Sequence, residues 1–252
     1  MNVRSLAKLS TMWCSSVIKR NRGSKILYYH DVYECENYRA LDADIQMGTH
    51  ISLFKKHVET IRKEGFEIVP RITEPEGQVS IMFDDGFRGI WECRQYFYDN
   101  NIKPTVFLPV AFIGRKDKGI LSADEILELQ SHGFNFESHS WNHIQLTGFN
   151  DKELVHELND SKTVLSELLS KDVTGLCMPL GFFTPHLLEK ISEAGYTDIY
   201  SCIPGNYFDR PFGTITRNLC QYASPLEVKL ILHGGNEMLK SRYAKMHNKS
   251  AL

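Results

Sequence analysis

The chain has 252 residues, of which 42% are hydrophobic and 24% charged, and a formal net charge of −2. This is an ordinary globular composition with enough length for one large core, and it gives no electrostatic case for binding nucleic acid. Six cysteines without a CxxC pair, in a chain too large to need disulfide staples, read as mostly buried thiols in a reducing compartment.

Residues 1–24 form a segment of their own. Leu6, Leu9, Trp13 and Val17 recur at helical spacing, and Arg4, Lys8, Lys19, Arg20, Arg22 and Lys25 precede the first acidic residue, Asp31. Lys8 and several serines interrupt any apolar run, so no secretory signal or membrane span is read here, and the expectation is a cytoplasmic protein. A basic amphipathic helix has two uses. It can lie on an anionic surface, here the inner face of the membrane, or pack against the rest of the fold, which is the more common use of an apolar stripe.

From Lys25 the pattern alternates. KILYYH (25–30) reads as a buried strand and 52–65 as a helix ending at Gly65. FEIV and VSIMF (79–83) are strands, 89–101 a helix, and PTVFLP (104–109) a strand rich in branched and aromatic residues. Ser122 and Glu125 have capping-box spacing and Gly133 stands where a helix ends. FNFES (134–138) is a strand, 151–170 a long helix and TGLCMP (174–179) a strand. Thr184-Pro185 opens a helix that stops at Gly195. TDIYSCI and TITRNL are two more strands, and Ser224 to Glu227 caps a last helix ending before Gly234. Alternating strands and helices predict parallel βα units. About seven or eight strands suit a distorted (β/α) TIM-like barrel over residues 25–252, with an open doubly wound sheet as the other arrangement.

Four polar residues end these strands. VSIMF runs into Asp84, Asp85 and Gly86; FNFES runs into His139, with His143 four residues on. The carboxyl ends of parallel strands carry active sites, so both groups point to one rim. Two imidazoles and a carboxylate make a mixed N/O metal site, and histidines four apart lie on one face of a helical turn. A second carboxylate beside the ion can take a proton from water. Adjacent aspartates diverge in an extended chain, so one can ligate while the other stays free. Each motif alone is weak, because Asp-Asp-Gly is usually a turn and HxxxH often a surface helix.

Together they resemble a known family. Phe83-Asp84-Asp85-Gly86 resembles the FDDG signature of the polysaccharide deacetylases (NodB homology, carbohydrate esterase family 4), and His139-Ser140-Trp141-Asn142-His143 resembles its H-[ST]-x-x-H signature. Tyr28-Tyr29-His30, KPTVF at 103–107, Leu146-Thr147, Pro179-Leu180-Gly181 and Ala194-Gly195-Tyr196 extend the likeness from about Lys25 to Leu219. The resemblance implies a metal-dependent hydrolase that deacetylates an N-acetylated sugar or polysaccharide. It implies Asp85, His139 and His143 as ligands of one divalent ion, with zinc favoured over cobalt, nickel or iron. It also implies Asp84 as general base and the backbone N–H of Leu180, after the motif Pro179, as oxyanion donor.

Two departures stand out. Many members carry an arginine two residues before the motif proline, where this chain has Cys177. A branch tied to exopolysaccharide and surface-glycan assembly has a small residue there, and this chain resembles that branch. Arg217, in TITRNL, is assigned as the replacement cation that orients the base; the other reading is a structural arginine. The family's general acid is often a histidine preceded by leucine near the chain end. Leu232-His233 matches, but it falls in the last turn of a capped helix, where a histidine favours the dipole. His30, ending the first strand on the active rim, is the better-placed acid, or else a sugar contact. Removal of formyl, O-deacetylation, and a non-catalytic sugar-binding member of the fold are the alternatives carried forward.

Overall fold

The computed structural model describes residues 3–19, 21–34 and 47–249, without the side chains of residues 3–7 and 19. Arg20, Cys35 and the side chains of Arg4, Leu6 and Lys19 therefore lie outside the described part. Ten strands are formed among the described residues: β1 (Lys25–Tyr29), β2 (Asp31–Tyr33), β3 (Gly48–His50), β4 (Glu67–Ile68), β5 (Gln78–Phe83), β6 (Thr105–Leu108), β7 (Asn135–Ser138), β8 (Gly175–Cys177), β9 (Asp198–Tyr200) and β10 (Asn218–Leu219). The helices are α1 (Val3–Lys19), α2 (Ile51–Lys63), α3 (Gly89–Glu92), α4 (Arg94–Asp99), α5 (Ala123–Ser131), α6 (Asp151–Val155), α7 (Ser161–Leu169), α8 (Pro185–Glu193), α9 (Pro225–Leu232) and α10 (Lys240–His247).

Seven strands lie side by side in the order β10-β1-β5-β6-β7-β8-β9, every neighbouring pair parallel. The sheet curls so that its two ends meet on one segment. Ile215 N–H donates to Ile199 O at 2.7 Å and Arg217 N–H to Ile203 O at 3.0 Å, while Asn218 and Leu219 pair with β1. This is the distorted TIM-like barrel that the alternating pattern predicts, and the open doubly wound arrangement is set aside.

Alternation along each strand sorts the side chains into two layers. Ile26, Tyr28, Met82, Phe107, Cys177, Tyr200 and Ile215 pack inside the barrel. Leu27, Tyr29, Ile81, Phe83, Val106, Phe136 and Leu176 face outward against the helices, with Phe54 of α2 and Phe97 of α4. The inward register ends on His30, Asp84, His139 and Cys202, which is why these residues share one rim.

Local differences from the sequence reading have identifiable causes. The helix expected over 89–101 breaks at Cys93, and that over 151–170 is interrupted by a π-helical turn at His156–Asp160. TITRNL contributes only two ladder residues because the segment crosses from β9 to β1. The capping boxes at Ser122 and Ser224 form as read, with a third at Asn150. Helix α1 packs on α9, with Ser15 Oγ donating to Gly234 O at 2.7 Å, and of the described residues of the apolar stripe only Leu9 takes part. Met12 and Ser15 are buried and Leu9 is partly buried, whereas Trp13 is 60% and Val17 45% exposed.

Lys25 opens β1 fully buried, its ammonium donating to Gly23 O at 2.7 Å. Burial lowers its pKa from 10.5 to about 8, against the nearby Glu237, Asp209 and Glu76. The unfolded chain therefore binds more protons between those values, so this group makes stability rise as the pH goes from about 8 to 10.5. Urea denaturation across that range should show the rise, by up to about 3 kcal/mol from this group, and Lys25→Met should remove it.

Candidate active site

Asp84 and Asp85 leave β5 on opposite courses. Asp84 N–H donates to Tyr29 O at 2.9 Å, which keeps the residue in the sheet's register. Asp85 takes a left-handed backbone, φ 69°, followed by Gly86 at φ 70°. A Cβ on Gly86 would overlap Leu108 Cδ2, so glycine serves both the turn and the close approach.

The histidines arrive by a different route from the one expected. Residues 139–143 do not form a helical turn; Ser140 and His143 have positive φ, 63° and 54°, and the loop bends twice to bring His143 back over the barrel. The imidazole Nε2 atoms of His139 and His143 lie 3.3 and 3.0 Å from Asp85 Oδ1, and that oxygen is buried without a hydrogen-bond partner. Ligand atoms about 2.0–2.1 Å from a tetrahedral zinc stand about 3.3 Å apart, so the separations suit a shared ion. His139 Nδ1 is 2.7 Å from the carbonyl of Cys177. Donation there leaves the Nε2 lone pair facing Asp85, the usual arrangement of a ligating imidazole. A second group, Asp84, His139 and Cys177, is close enough to be considered. Burial holds the Cys177 thiol well above its ordinary pKa, and His139 has its other nitrogen committed. The donor set that fits a divalent ion is therefore Asp85, His139 and His143.

Asp84 is 3% exposed and faces Arg217, which is fully buried. Nη1 donates to Oδ1 at 2.6 Å and Nη2 to Oδ2 at 2.9 Å, a bidentate pair. The guanidinium lies 4.2 Å above the Tyr28 ring and 2.9 Å from Cys177 Sγ, and Nε donates to Ser201 O at 3.2 Å. Burial is the largest single influence and would raise the Asp84 carboxyl; the Arg217 charge, the nearby His139 and His30 and the Arg217 hydrogen bonds together outweigh it, and the group stays below the usual carboxylate range. The small Cys177 leaves the space that this guanidinium fills.

His30, partly exposed at the same rim, is held through Nδ1 by the Gln221 side-chain oxygen, which leaves Nε2 available. His233 is elsewhere. It ends α9, and its Nε2 lies 2.9 Å from Glu64 Oε2, beside Phe66. Pro179 is buried, and Leu180 has φ 60° in the turn Pro179–Gly181, flanked by Gly181 at φ 71°.

Sequence reasoning missed Glu157 and Gln221. Glu157 sits in the π turn between α6 and α7, is 1% exposed, and accepts from Trp141 N–H at 3.0 Å, Asn142 N–H at 3.1 Å and Asn142 Nδ2 at 2.8 Å. One buried carboxylate thus satisfies three donors of the loop that carries both histidines, and it is placed there by an irregular turn of the sort found at functional sites. In a sequence read as one amphipathic helix, a glutamate looks like solvent-facing surface. Gln221 carries no signal at all.

The polysaccharide deacetylase family model matches residues 71–199, about half the chain, and the chain belongs to that family. Its members are metal-dependent hydrolases acting on N-acetylated sugars, so the protein is an enzyme that deacetylates a glycan. It is 24% identical over 204 residues to YxkH of Bacillus subtilis (strain 168), named for the same family, covering 76% of this chain and 69% of that one. In fold it is similar to the deacetylase PplD of Streptococcus pyogenes, solved with acetate, at a TM-score of 0.71 and 17% identity over 83% of this chain and 98% of that one. IcaB from Ammonifex degensii gives a TM-score of 0.71 at 19% identity, covering 85% and 98%.

Replacing Glu157 by alanine leaves the loop's N–H groups without their acceptor. Zinc affinity measured by chelator competition should fall about 10- to 100-fold, with Glu157→Gln intermediate because it keeps an acceptor oxygen.

Proposed function

We propose that this enzyme removes the acetyl group from an N-acetylated saccharide in surface-glycan biosynthesis, with Asp84 as general base and a zinc ion held by Asp85, His139 and His143. The observation that carries the reading is the convergence of the His139 and His143 Nε2 atoms on Asp85 Oδ1, next in the chain to an Asp84 carboxylate paired with a buried arginine. An ion at this position supplies Lewis acidity to a water molecule and to the acyl carbonyl.

The chain's own groups divide the remaining work. Arg217 holds Asp84 ionised and fixes both its oxygens, so the base meets the attacking water in one orientation. The Leu180 N–H, turned by its left-handed backbone, donates to the oxygen that gains charge as the carbonyl becomes tetrahedral. His30, with Nδ1 engaged by Gln221, presents Nε2 to protonate the departing sugar amine. The small residue at Cys177, with the cation supplied from the barrel's closing segment, supports placement in the surface-glycan branch.

Metal content tests the basis of this reading. About one zinc per chain is expected in the wild type by elemental mass spectrometry, and His139→Ala should lose it together with acetate release from N-acetylated oligosaccharides. A wild type that takes up no divalent ion would overturn the mechanism; formate in place of acetate would change the acyl group.

Arg217→Ala should retain its metal and yet lose about two to three orders of magnitude in kcat/KM. Lysine at 217 should restore little, because it lacks the planar fork. Activity surviving in Arg217→Ala would reduce the arginine to a structural role.

A further inference from the structure

Among the described residues, one face of α1 over residues 8–18 is uncovered. At 100° per residue, Ser10, Trp13, Cys14, Val17 and Ile18 fall on the side away from Met12 and Ser15, and all five are exposed. Trp13 is 60% and Ile18 72% exposed, and residues 8–18 place no charge on this face. Exposed apolar faces of this kind mark contact surfaces.

The position of the helix relates this face to the active site. Lys8 pairs with Glu227 in the first turn of α9 at 2.8 Å, and Ser15 bonds to Gly234 beyond its last turn. Helix α1 therefore runs beside α9 and in the same direction, starting at the rim that carries Gln221 and His30. Tyr222 and Leu226, 65% and 55% exposed, continue the apolar surface around the start of α9.

Charge selects the occupant. No acidic residue precedes Asp31; of the six cations in the first 30 positions, Lys8 pairs with Glu227, Arg22 bonds to the carbonyls of Glu64 and Gly65 and Lys25 is buried, which leaves the sequence charges of Arg4, Lys19 and Arg20. An apolar face with an exposed tryptophan, on a segment that keeps these three cations and has no acidic residue, matches the interface of an anionic bilayer. We propose that the outward face of α1, through Trp13, Val17 and Ile18, docks the enzyme on an anionic membrane surface. The barrel then lies on its side with its mouth at headgroup level, where a surface-anchored saccharide reaches Asp84; this extension rests on the deacetylase reading, but the docking does not.

The full-length protein is sedimented with phosphatidylcholine vesicles and with vesicles containing about 30% phosphatidylglycerol. The wild type should pellet with the anionic vesicles and much less with the neutral ones, and added salt should release it. Trp13→Glu/Ile18→Glu should reduce the pelleted fraction at least about tenfold, while hydrolysis of a soluble acetylated oligosaccharide stays at the wild-type rate. Because wild-type binding to the two vesicle types is compared directly, the result does not depend on the variant folding. Equal pelleting with both vesicle types, or no pelleting, overturns the proposal. So does a wild-type dimer by light scattering that the double variant converts to monomer without any effect of lipid, since the face would then belong to a second copy.

Discussion

The site depends on the ion pair between Asp84 and Arg217. Two charges taken this far out of water are costly unless their geometry satisfies nearly every lone pair and proton. Here both carboxylate oxygens are used and the guanidinium stacks on Tyr28 and bonds to Ser201 O and Cys177 Sγ. Removing either partner would leave a buried charge alone, at a cost of about 3–5 kcal/mol. The barrel interior is built to hold this pair, with a small residue at 177 and an aromatic ring on one side of the guanidinium.

Around that pair, backbone strain delivers the reactive groups. Asp85, Ser140, His143 and Leu180 all hold positive φ without being glycine, a conformation costing roughly 1 kcal/mol or more at each. Such residues persist only where their surroundings over-determine them. For the histidine loop those surroundings are Glu157 from below and the strand-like bonds of Val110 and Ala111 to Ser140 O and Trp141 O. Inward register aims Asp84 and His139; left-handed turns aim Asp85 and His143.

Much of this was legible in the sequence, and the reasons are physical. Strand ends could be read because apolar runs stop abruptly at Asp84 and His139, and the barrel could be read from the alternation of strands with capped helices. The pairing of Arg217 with Asp84 could be anticipated because Cys177 left a cation missing and a segment near the chain end offered one; its catalytic role remains a proposal. The helical turn assumed for His139 and His143 was wrong, because positive φ at Ser140 leaves no mark in residue type. Glu157 escaped because burial of a charged side chain depends on a π turn that no local pattern announces. The stripe on α1 was seen correctly as apolar, but periodicity alone does not say which side of a helix meets the core.

The closing segment has a consequence for the order in which the enzyme becomes competent. All three candidate ligands lie between residues 85 and 143, by the loop that follows the fourth strand of the curled sheet in chain order, whereas Arg217 arrives with the last strand. Under the proposed mechanism, a nascent chain still lacking that strand would carry every candidate donor atom but no cation to orient the proposed base. On that mechanism, metal capture and catalytic competence would be separated along the chain, and only closure of the barrel would couple them.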